Sequence, residues 1–255
     1  PREAETEVNM IGRVGQSCGS AGIRAWRAVA PALAVLGGLA AALPAAAQPE
    51  ILSADAQPRF NAIGRVNVAG YNRRKMCSGT LIAPDRVLTA AHCTLGLSGR
   101  PAAAADLVFV AGWRSGEAVA VARAADVLIH PEFLPAWAEG RVQVSADIAV
   151  LRLSEPIPGV VPIPVTGLDP DRPLSIVGYR ADRPHIASRH APCGVIERRG
   201  AVARVGCRVI AGTSGAPLIE ETADGPRVVG VVSAAGPSGT LVVRAAAWPP
   251  ARPEP

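Results

Sequence analysis

From about residue 60 onwards, the chain consists of short apolar or alternating segments that are separated at close spacing by Gly, Pro, Asn and Asp. Such segments with turn residues between them are typical of β-strands, and helical periodicity is weak throughout this region. The clearest segments are residues 63–68, 79–83, 87–89, 107–111, 148–153, 174–178, 194–197, 216–220 and 228–233. The pattern predicts an all-β protein built as a sandwich or as barrels.

A proline-rich segment, residues 156–164, interrupts the strands near the middle of this region. Proline cannot donate a ladder hydrogen bond, so the segment cannot pair as a central strand. We interpret it as the start of a second folded half, which predicts an N-terminal half at residues 48–155 and a C-terminal half at 156–255. The last eight residues, 248–255, contain four prolines and are predicted to be a loose end.

The N-terminal region has the three parts of a secretory signal peptide. Arg24 and Arg27 precede an uncharged stretch rich in Ala, Leu and Val, residues 28–43, and small residues follow it. The stretch is short for a membrane span. We therefore predict that residues 1–47 form an N-terminal extension with a cleaved signal peptide, and a retained membrane anchor is the alternative. The mature protein would then be secreted or periplasmic, with no stable membrane association.

Removing this leader removes Cys18 and leaves four cysteines, Cys77, Cys93, Cys193 and Cys207. The even number, without Cys-x-x-Cys pairs or zinc-like spacing, indicates two disulfides formed in an oxidising compartment. Three pairings are possible, and proximity in sequence favours Cys77 with Cys93 and Cys193 with Cys207. Each bond would close a loop of about 15 residues, worth about 3 kcal/mol in the chain-entropy description.

The composition and charge of the chain indicate which classes of partner it is expected to bind. The chain has 255 residues with 49% hydrophobic residues and a formal net charge of +5, which comes from 26 basic and 21 acidic residues. The longest basic run is residues 73–75, which is too diffuse a pattern for a nucleic-acid interface. Three of the four histidines, His130, His185 and His190, are assigned to the surface. No metal site and no cofactor are expected.

Three polar residues lie in local contexts that would suit catalytic side chains. His92 follows an apolar strand and precedes Cys93, so a disulfide there would fix the orientation of its imidazole. Asp147 begins an apolar strand, where a buried carboxylate needs a partner such as a histidine Nδ1 proton. Ser214 lies between Gly212 and Gly215, which permit a tight turn that exposes its hydroxyl and directs backbone N–H groups to one point.

Each of these positions also has a structural interpretation. A histidine after a strand is common, a Gly/Ser loop is an ordinary turn, and an aspartate before a strand is usually a turn or cap residue. Asp106 and Asp126 also precede apolar runs, so position alone does not select Asp147. The joint occurrence of the three residues in the order His, Asp, Ser favours a catalytic triad.

The motifs resemble those of the trypsin and chymotrypsin-like serine endopeptidases. Residues 89–93 read Thr-Ala-Ala-His-Cys, residues 147–153 read Asp-Ile-Ala-Val-Leu-Arg-Leu, and residues 212–217 read Gly-Thr-Ser-Gly-Ala-Pro. Further similarity lies in residues 77–82, 127–133 and 177–179, so the resemblance extends over about residues 60–245. It implies two six-stranded antiparallel Greek-key β-barrels with the active site in the cleft between them.

The resemblance also implies roles for single residues. Ser214 would be the nucleophile, His92 the general base, and Asp147 the carboxylate that orients the imidazole. The N–H groups of Gly212 and Ser214 would form the oxyanion hole. Ser233 matches the serine that supports the buried aspartate and leads into the strand that pairs with substrate.

Two further positions bear on specificity. Ala234 and Ala235 would lie on the pocket wall. Arg208 lies six residues before the nucleophile, where the family places the base of its specificity pocket, and a guanidinium there would favour an acidic side chain before the scissile bond. A solvent-facing arginine is the alternative.

The sequence departs from the family at two places. Thr213 replaces the acidic residue that pairs with the new N-terminal amine in trypsin-like enzymes, so we expect no maturation at one defined residue to organise the oxyanion hole. The substituted motif and the signal peptide are closer to bacterial glutamyl endopeptidases. Those enzymes carry a pocket histidine where this chain has Val231 and Val232.

The sequence therefore predicts a secreted, monomeric serine endopeptidase that acts on polypeptides through an acyl-enzyme intermediate. The alternative is a protease-fold binding protein with weak or no turnover. An esterase of the α/β-hydrolase type is disfavoured because its residues follow the order Ser, Asp, His and its motif is Gly-x-Ser-x-Gly, which Ala216 interrupts.

Overall fold

The structure, a computed structural model, describes residues 49–69 and 76–248. The predicted signal peptide and most of the proline-rich tail lie outside this part of the chain. Within it, β-strands dominate, accompanied by short 3-10 turns and one short α-helix, α1 (Phe133–Ala138). No helix among the described residues has the length and hydropathy needed to cross a bilayer.

Six strands of the first half close into an antiparallel barrel in the order β2-β3-β4-β7-β6-β5. They are β2 (Ile63–Val68), β3 (Met76–Ala83), β4 (Arg86–Thr89), β5 (Leu107–Ala111), β6 (Ala120–Ile129) and β7 (Ala149–Leu153). Large apolar side chains in the barrel interior pack directly against glycines. A Cβ atom on Gly64 would lie 2.5 Å from the Phe109 ring, and a Cβ atom on Gly79 would lie 2.8 Å from Val66 Cγ2, so neither position has room for a side chain.

The remaining strands form a second, eight-stranded antiparallel sheet in the order β1-β9-β8-β12-β13-β14-β11-β10. They are β1 (Glu50–Ile51), β8 (Leu174–Arg180), β9 (Arg183–His190), β10 (Val195–Arg199), β11 (Val202–Val205), β12 (Pro217–Thr222), β13 (Gly225–Gly236) and β14 (Gly239–Arg244). A closed six-stranded barrel beside a second antiparallel sheet confirms the predicted all-β fold class.

The proline-rich segment 156–164 connects the barrel to the sheet without forming a strand. Its main chain forms hydrogen bonds with the barrel and with the sheet. The N–H of Ile163 donates to the carbonyl of Leu81 at 2.9 Å, and the carbonyl of Pro164 accepts from the N–H of Val228 at 2.9 Å. The segment therefore joins β3 of the barrel to β13 of the sheet.

Tyr179 of β8 fixes another contact between the barrel side and the sheet. Its side chain is fully buried, and its hydroxyl donates to the carbonyl of Trp113 at 2.9 Å. Burial raises the pKa of Tyr179, although nearby Arg65 acts in the opposite direction. The Arg65 guanidinium also lies 5.5 Å from the centre of the Trp113 ring. These contacts hold the edge of β8 against the barrel.

The disulfides follow the pairing that sequence proximity favours. Cys77 of β3 is bonded to Cys93, and Cys193 is bonded to Cys207. The first bond anchors the turn that follows β4 to the neighbouring strand. The second closes the segment that precedes Ser214.

Candidate active site

Strand pairing places His92 beside Asp147. Thr89, the last residue of β4, pairs with Ala149, the first residue of β7, so the turns at these strand ends adjoin. The imidazole Nδ1 lies 2.7 Å from Asp147 Oδ2, and the main-chain N–H of His92 donates to Oδ1 at 2.9 Å. The carboxylate, which is only 6% exposed, therefore fixes both the position and the ring of the histidine.

The second sheet contributes a third hydrogen bond to the same carboxylate. Ser233 of β13 is buried, and its hydroxyl donates to Asp147 Oδ2 at 2.6 Å. Because Nδ1 faces a carboxylate, it carries the imidazole proton in the neutral ring, and Nε2 is left with a lone pair. Nε2, which lies 3.7 Å from Cys93 Sγ, is thus the ring nitrogen that can accept a proton.

Ser214 lies in the turn before β12, close to Ser78 of β3 and to the end of β4, after which His92 follows in a short 3-10 turn. A Cβ on the next residue, Gly215, would lie 2.2 Å from the carbonyl oxygen of Ser78 and 2.3 Å from Thr89 Oγ1. Only glycine fits this approach, and its φ of +78° is a conformation that favours glycine. Within the described part of the chain, the Ser214 hydroxyl makes no hydrogen bond, to His92 or otherwise.

The amides of residues 212–216 divide into two groups. The N–H groups of Thr213, Gly215 and Ala216 each donate to a main-chain carbonyl of the fold. Those of Gly212 and Ser214 donate to no described residue. Gly212 is in the positive-φ region at +91°. Two donors in one turn are therefore left for a ligand, which is what an oxyanion hole requires.

Residues 233–235 of β13 present an open strand edge beside this turn. Ala234 and Ala235 pair with β14 on one side, and Ser233 lies at an irregularity in that pairing. On the other side β12 begins at Pro217, opposite Val231, so no described strand covers that edge. Ala234 is half-buried and Ala235 is exposed. An extended peptide can add here as a further strand.

An apolar cavity of about 330 Å³ adjoins the imidazole of His92. Its walls come from the segment after His92, from α1 and from the segment before Asp147, and they include Leu95, Phe133, Trp137 and Val142. The Trp137 indole N–H donates to the carbonyl of Gly99 at 3.0 Å and holds two of these segments together. Sequence reasoning missed this cavity because its walls come from segments that lie far apart in the chain.

Arg208 and the three histidines other than His92 differ in their exposure to solvent. Arg208 is exposed and donates through Nη2 to the carbonyl of Pro237 at 2.8 Å, and its role in substrate selection stays a prediction. The surface assignment of His190 is wrong, because the residue is only 3% exposed. His185 is exposed and His130 is half-buried.

Burial lowers the pKa of His190 to about 4, and the positive charge of Arg180 acts in the same direction. Its imidazole is therefore neutral at pH 7. Of the described residues, only Cys77, His92 and Cys93 cluster as potential metal ligands, and both sulfurs are already used in a disulfide. The cluster is therefore not a metal site.

Comparison with known proteins defines the family. The sequence profile of the family described as "Trypsin-like peptidase domain" matches residues 77–231, which is more than half of the chain and includes His92, Asp147 and Ser214. The chain belongs to the trypsin-like peptidase family. The resemblance predicted from the motifs is therefore confirmed.

Individual relatives of this trypsin-like chain are more distant. "Trypsin" of Saccharopolyspora erythraea is 35% identical over 113 residues, a match that covers 42% of this chain and 44% of the relative, so the chain spans less than half of that protein's length. The structure of a Glu endopeptidase in complex with MPD has a TM-score of 0.60 at 19% identity, covering 72% of this chain and 85% of that one. A thermostable serine protease, AL20, from an extremophilic microorganism has a TM-score of 0.57 at 20% identity, covering 73% and 91%. At these identities the two structures establish likeness of fold.

Proposed function

We propose that this trypsin-like protein is a serine endopeptidase in which Ser214, His92 and Asp147 form the catalytic triad. The observation that carries the proposal is the hydrogen-bonded series from Ser233 through Asp147 to His92, which joins the sheet to the barrel. The unused amides of Gly212 and Ser214 lie in the turn that holds the nucleophile, as acyl transfer requires.

The reaction follows from these positions. As the Ser214 hydroxyl oxygen attacks the peptide carbonyl carbon, its proton passes to His92 Nε2, and the carbonyl electrons move to the oxygen. The Gly212 and Ser214 N–H groups stabilise this oxyanion, each lowering the barrier by about 3 to 4 kcal/mol. Asp147 stays ionised and stabilises the imidazolium.

His92 then returns the proton to the leaving amine, which breaks the C–N bond and leaves an acyl-enzyme. In the second half of the reaction, water attacks the acyl carbon while His92 accepts its proton. The bond between the acyl carbon and the Ser214 oxygen then breaks, His92 returns the proton to that oxygen, and the new carboxylic acid leaves.

The substrate class is an extended polypeptide. Its main chain would pair with the open edge of residues 233–235, while the cavity beside His92 would take an apolar side chain because its walls are mostly apolar. The protein would be secreted or periplasmic, because the sequence carries a signal-like leader and the fold holds two disulfides. It would act as a monomer.

The test compares the purified protein with two serine variants. Ser214→Ala is expected to lower the rate of peptide hydrolysis by about a thousandfold or more, because the nucleophile is lost. Ser154→Ala, which changes an exposed serine after β7, is the matched control and should leave the rate unchanged. A fluorophosphonate probe should label the wild type and Ser154→Ala but not Ser214→Ala. Equal hydrolysis by wild type and Ser214→Ala would refute the proposal.

The second candidate function is a protease-fold binding protein with little turnover. The observation that favours it is that the Ser214 hydroxyl makes no hydrogen bond with His92 among the described residues. Catalytic hydrogen bonds often form only once substrate is bound, so a structure in which Ser214 and His92 are not hydrogen-bonded is compatible with catalysis. Failure of the fluorophosphonate to label Ser214 in the folded wild type would favour the binding protein.

A further inference from the structure

Ser78 of β3 is the most connected polar residue at the candidate site, although no motif of the triad contains it. It is fully buried. Its main-chain N–H donates to the carbonyl of Ser214 at 2.8 Å, and its carbonyl accepts from the hydroxyl of Thr89 at 2.8 Å. Its own hydroxyl donates to the carbonyl of Gly212 at 3.0 Å and accepts from the N–H of Tyr179 at 2.9 Å.

Two of these bonds depend on the identity of the side chain. Any residue except proline would supply the N–H and carbonyl of position 78, but only a hydroxyl both donates and accepts at this point. The Tyr179 N–H occupies the acceptor side of the Ser78 oxygen. The hydroxyl proton is then available for the carbonyl of Gly212.

The two carbonyls that Ser78 holds belong to the residues whose N–H groups are unused. Gly212 has φ of +91° and no side chain, so steric contact restricts its rotation less than that of any other residue type. The bond to the Gly212 carbonyl restrains the 212–213 peptide group, and the bond to the Ser214 carbonyl restrains the 214–215 peptide group, so the two flank the 213–214 peptide group that carries the Ser214 N–H. The peptide groups of the two unused N–H groups are also held through their own carbonyls, which accept from the N–H groups of Ala181 and Ala216. Ser78 therefore acts on both oxyanion donors through the neighbouring peptide groups.

We propose that Ser78 is a positioning residue that holds the Gly212 and Ser214 amides in the geometry that stabilises the oxyanion. This inference rests on the proposed function, because an oxyanion forms only if the protein is an acyl-transfer enzyme. Ser78 does not touch the reacting atoms and acts through Gly212. Its hydroxyl also links the barrel strand β3 to β8 of the second sheet. The turn that contains Gly212 and Ser214 is therefore attached to both parts of the fold.

The same strand supplies a matched control. Thr80 lies two residues further along β3, on the same face as Ser78. It is also buried, and its hydroxyl has no hydrogen-bond partner among the described residues. Thr80→Val therefore removes a buried hydroxyl of the same strand without breaking a bond, whereas Ser78→Ala removes the two side-chain bonds and keeps both main-chain bonds.

The experiment measures kcat and KM per active site, with the active fraction titrated by the fluorophosphonate. Ser78→Ala should lower kcat by about ten- to a hundredfold with KM within about twofold, because only the transition state carries the oxyanion. Its affinity for a peptide aldehyde, which forms a tetrahedral adduct, should fall by a similar factor, whereas affinity for the product peptide should not change. Thr80→Val should match the wild type in all four measurements.

The outcomes separate the two proposals. If Ser78→Ala keeps the wild-type kcat and aldehyde affinity while hydrolysis still depends on Ser214, the positioning role is wrong and the proposed function stands. If hydrolysis does not depend on Ser214, the proposed function itself fails. Circular dichroism and thermal melting check the fold. Should Ser78→Ala not fold, Ser78→Gly, which also keeps both main-chain bonds, is measured in the same way with the same expected losses.

Discussion

Acidification should destabilise the protein through His190, a residue outside the candidate site. The imidazole is 3% exposed, and its Nε2 has no hydrogen-bond partner among the described residues. Burial, reinforced by the positive charge of Arg180, lowers its pKa to about 4, while Asp182 and the main-chain carbonyl of Arg208 act in the opposite direction. The folded protein therefore keeps this imidazole neutral under conditions in which a free histidine would be charged.

The direction and size of the effect follow from proton linkage. In the unfolded chain, histidine has a pKa of about 6.5, so between pH 6.5 and 4 the unfolded state binds a proton that the folded state does not. The contribution of His190 to the free energy of unfolding therefore falls as the pH falls through this window, and it levels off below pH 4. At about 1.4 kcal/mol per unit of pKa difference, the loss is about 3 kcal/mol, a large share of the roughly 5 to 15 kcal/mol that stabilises a typical domain.

Urea unfolding at pH 7, 6, 5 and 4, followed by tryptophan fluorescence, measures this loss. The Ser214→Ala background prevents self-digestion. His190→Gln should remove about 3 kcal/mol of the decrease between pH 7 and 4, because glutamine does not titrate, while His185→Gln, at an exposed histidine of the same strand, should behave as the wild type. Parallel pH profiles for His190→Gln and the parent protein would show that His190 is not the buried neutral base inferred here.

Three further substitutions test the site and the fold. Ser233→Ala removes one of the three hydrogen bonds to Asp147 and should lower kcat/KM for a peptide substrate by about tenfold; an unchanged value would show that the bond does not support catalysis. Replacing Cys193 and Cys207 together by serine opens a loop of about 15 residues and should lower the free energy of unfolding by about 3 kcal/mol, and an unshifted urea midpoint would contradict this. Trp137→Ala removes a wall of the apolar cavity and should raise KM by about tenfold for peptides with leucine near the scissile bond. Peptides with alanine there should be unaffected, and equal effects on both would count against the cavity as a binding site.

The sequence predicted those parts of the molecule whose structure depends on residues that are neighbours in the chain. The segment 89–93, the aspartate before β7 and the glycines around Ser214 are contiguous strings, because the tight turns they form depend on neighbouring residues. Apart from β14, which contains Leu241, Val242 and Val243, strands with a strong run of apolar residues were also predicted. Their burial is nearly complete, as in β5, where all five residues are buried.

Strands β6 and β9 were missed for a physical reason. Several residues of β6 are exposed, including the apolar Val121 and Leu128, so its pattern of apolar and polar residues does not mark one buried face. Strand β9 reads Arg-Pro-His-Ile-Ala-Ser-Arg-His, which is polar in composition. Both form because neighbouring strands supply hydrogen-bond partners, and that information lies far away in the sequence.

The wrong surface assignment of His190 has the same origin. A histidine among arginines, next to Ser188 and Arg189, has the local composition of a solvent-exposed segment. Its burial arises from the pairing of Ile176 with His190 and from the nearby bond between Cys193 and Cys207. Neither contact is visible in the residues around it, and the apolar cavity beside His92 was missed for the same reason.

The geometry of the proposed triad depends on the whole fold, because the hydrogen bonds that support it join the barrel to the second sheet. Asp147 and Ser233 are separated by 86 positions in the chain, and their bond joins the first barrel to the second sheet. The Ser78 hydroxyl spans 134 positions to reach Gly212, again from barrel to sheet. The first bond supports the proposed general base, and the second supports the turn with the proposed oxyanion donors. A change that shifts the sheet against the barrel therefore alters both together, even when each remains folded.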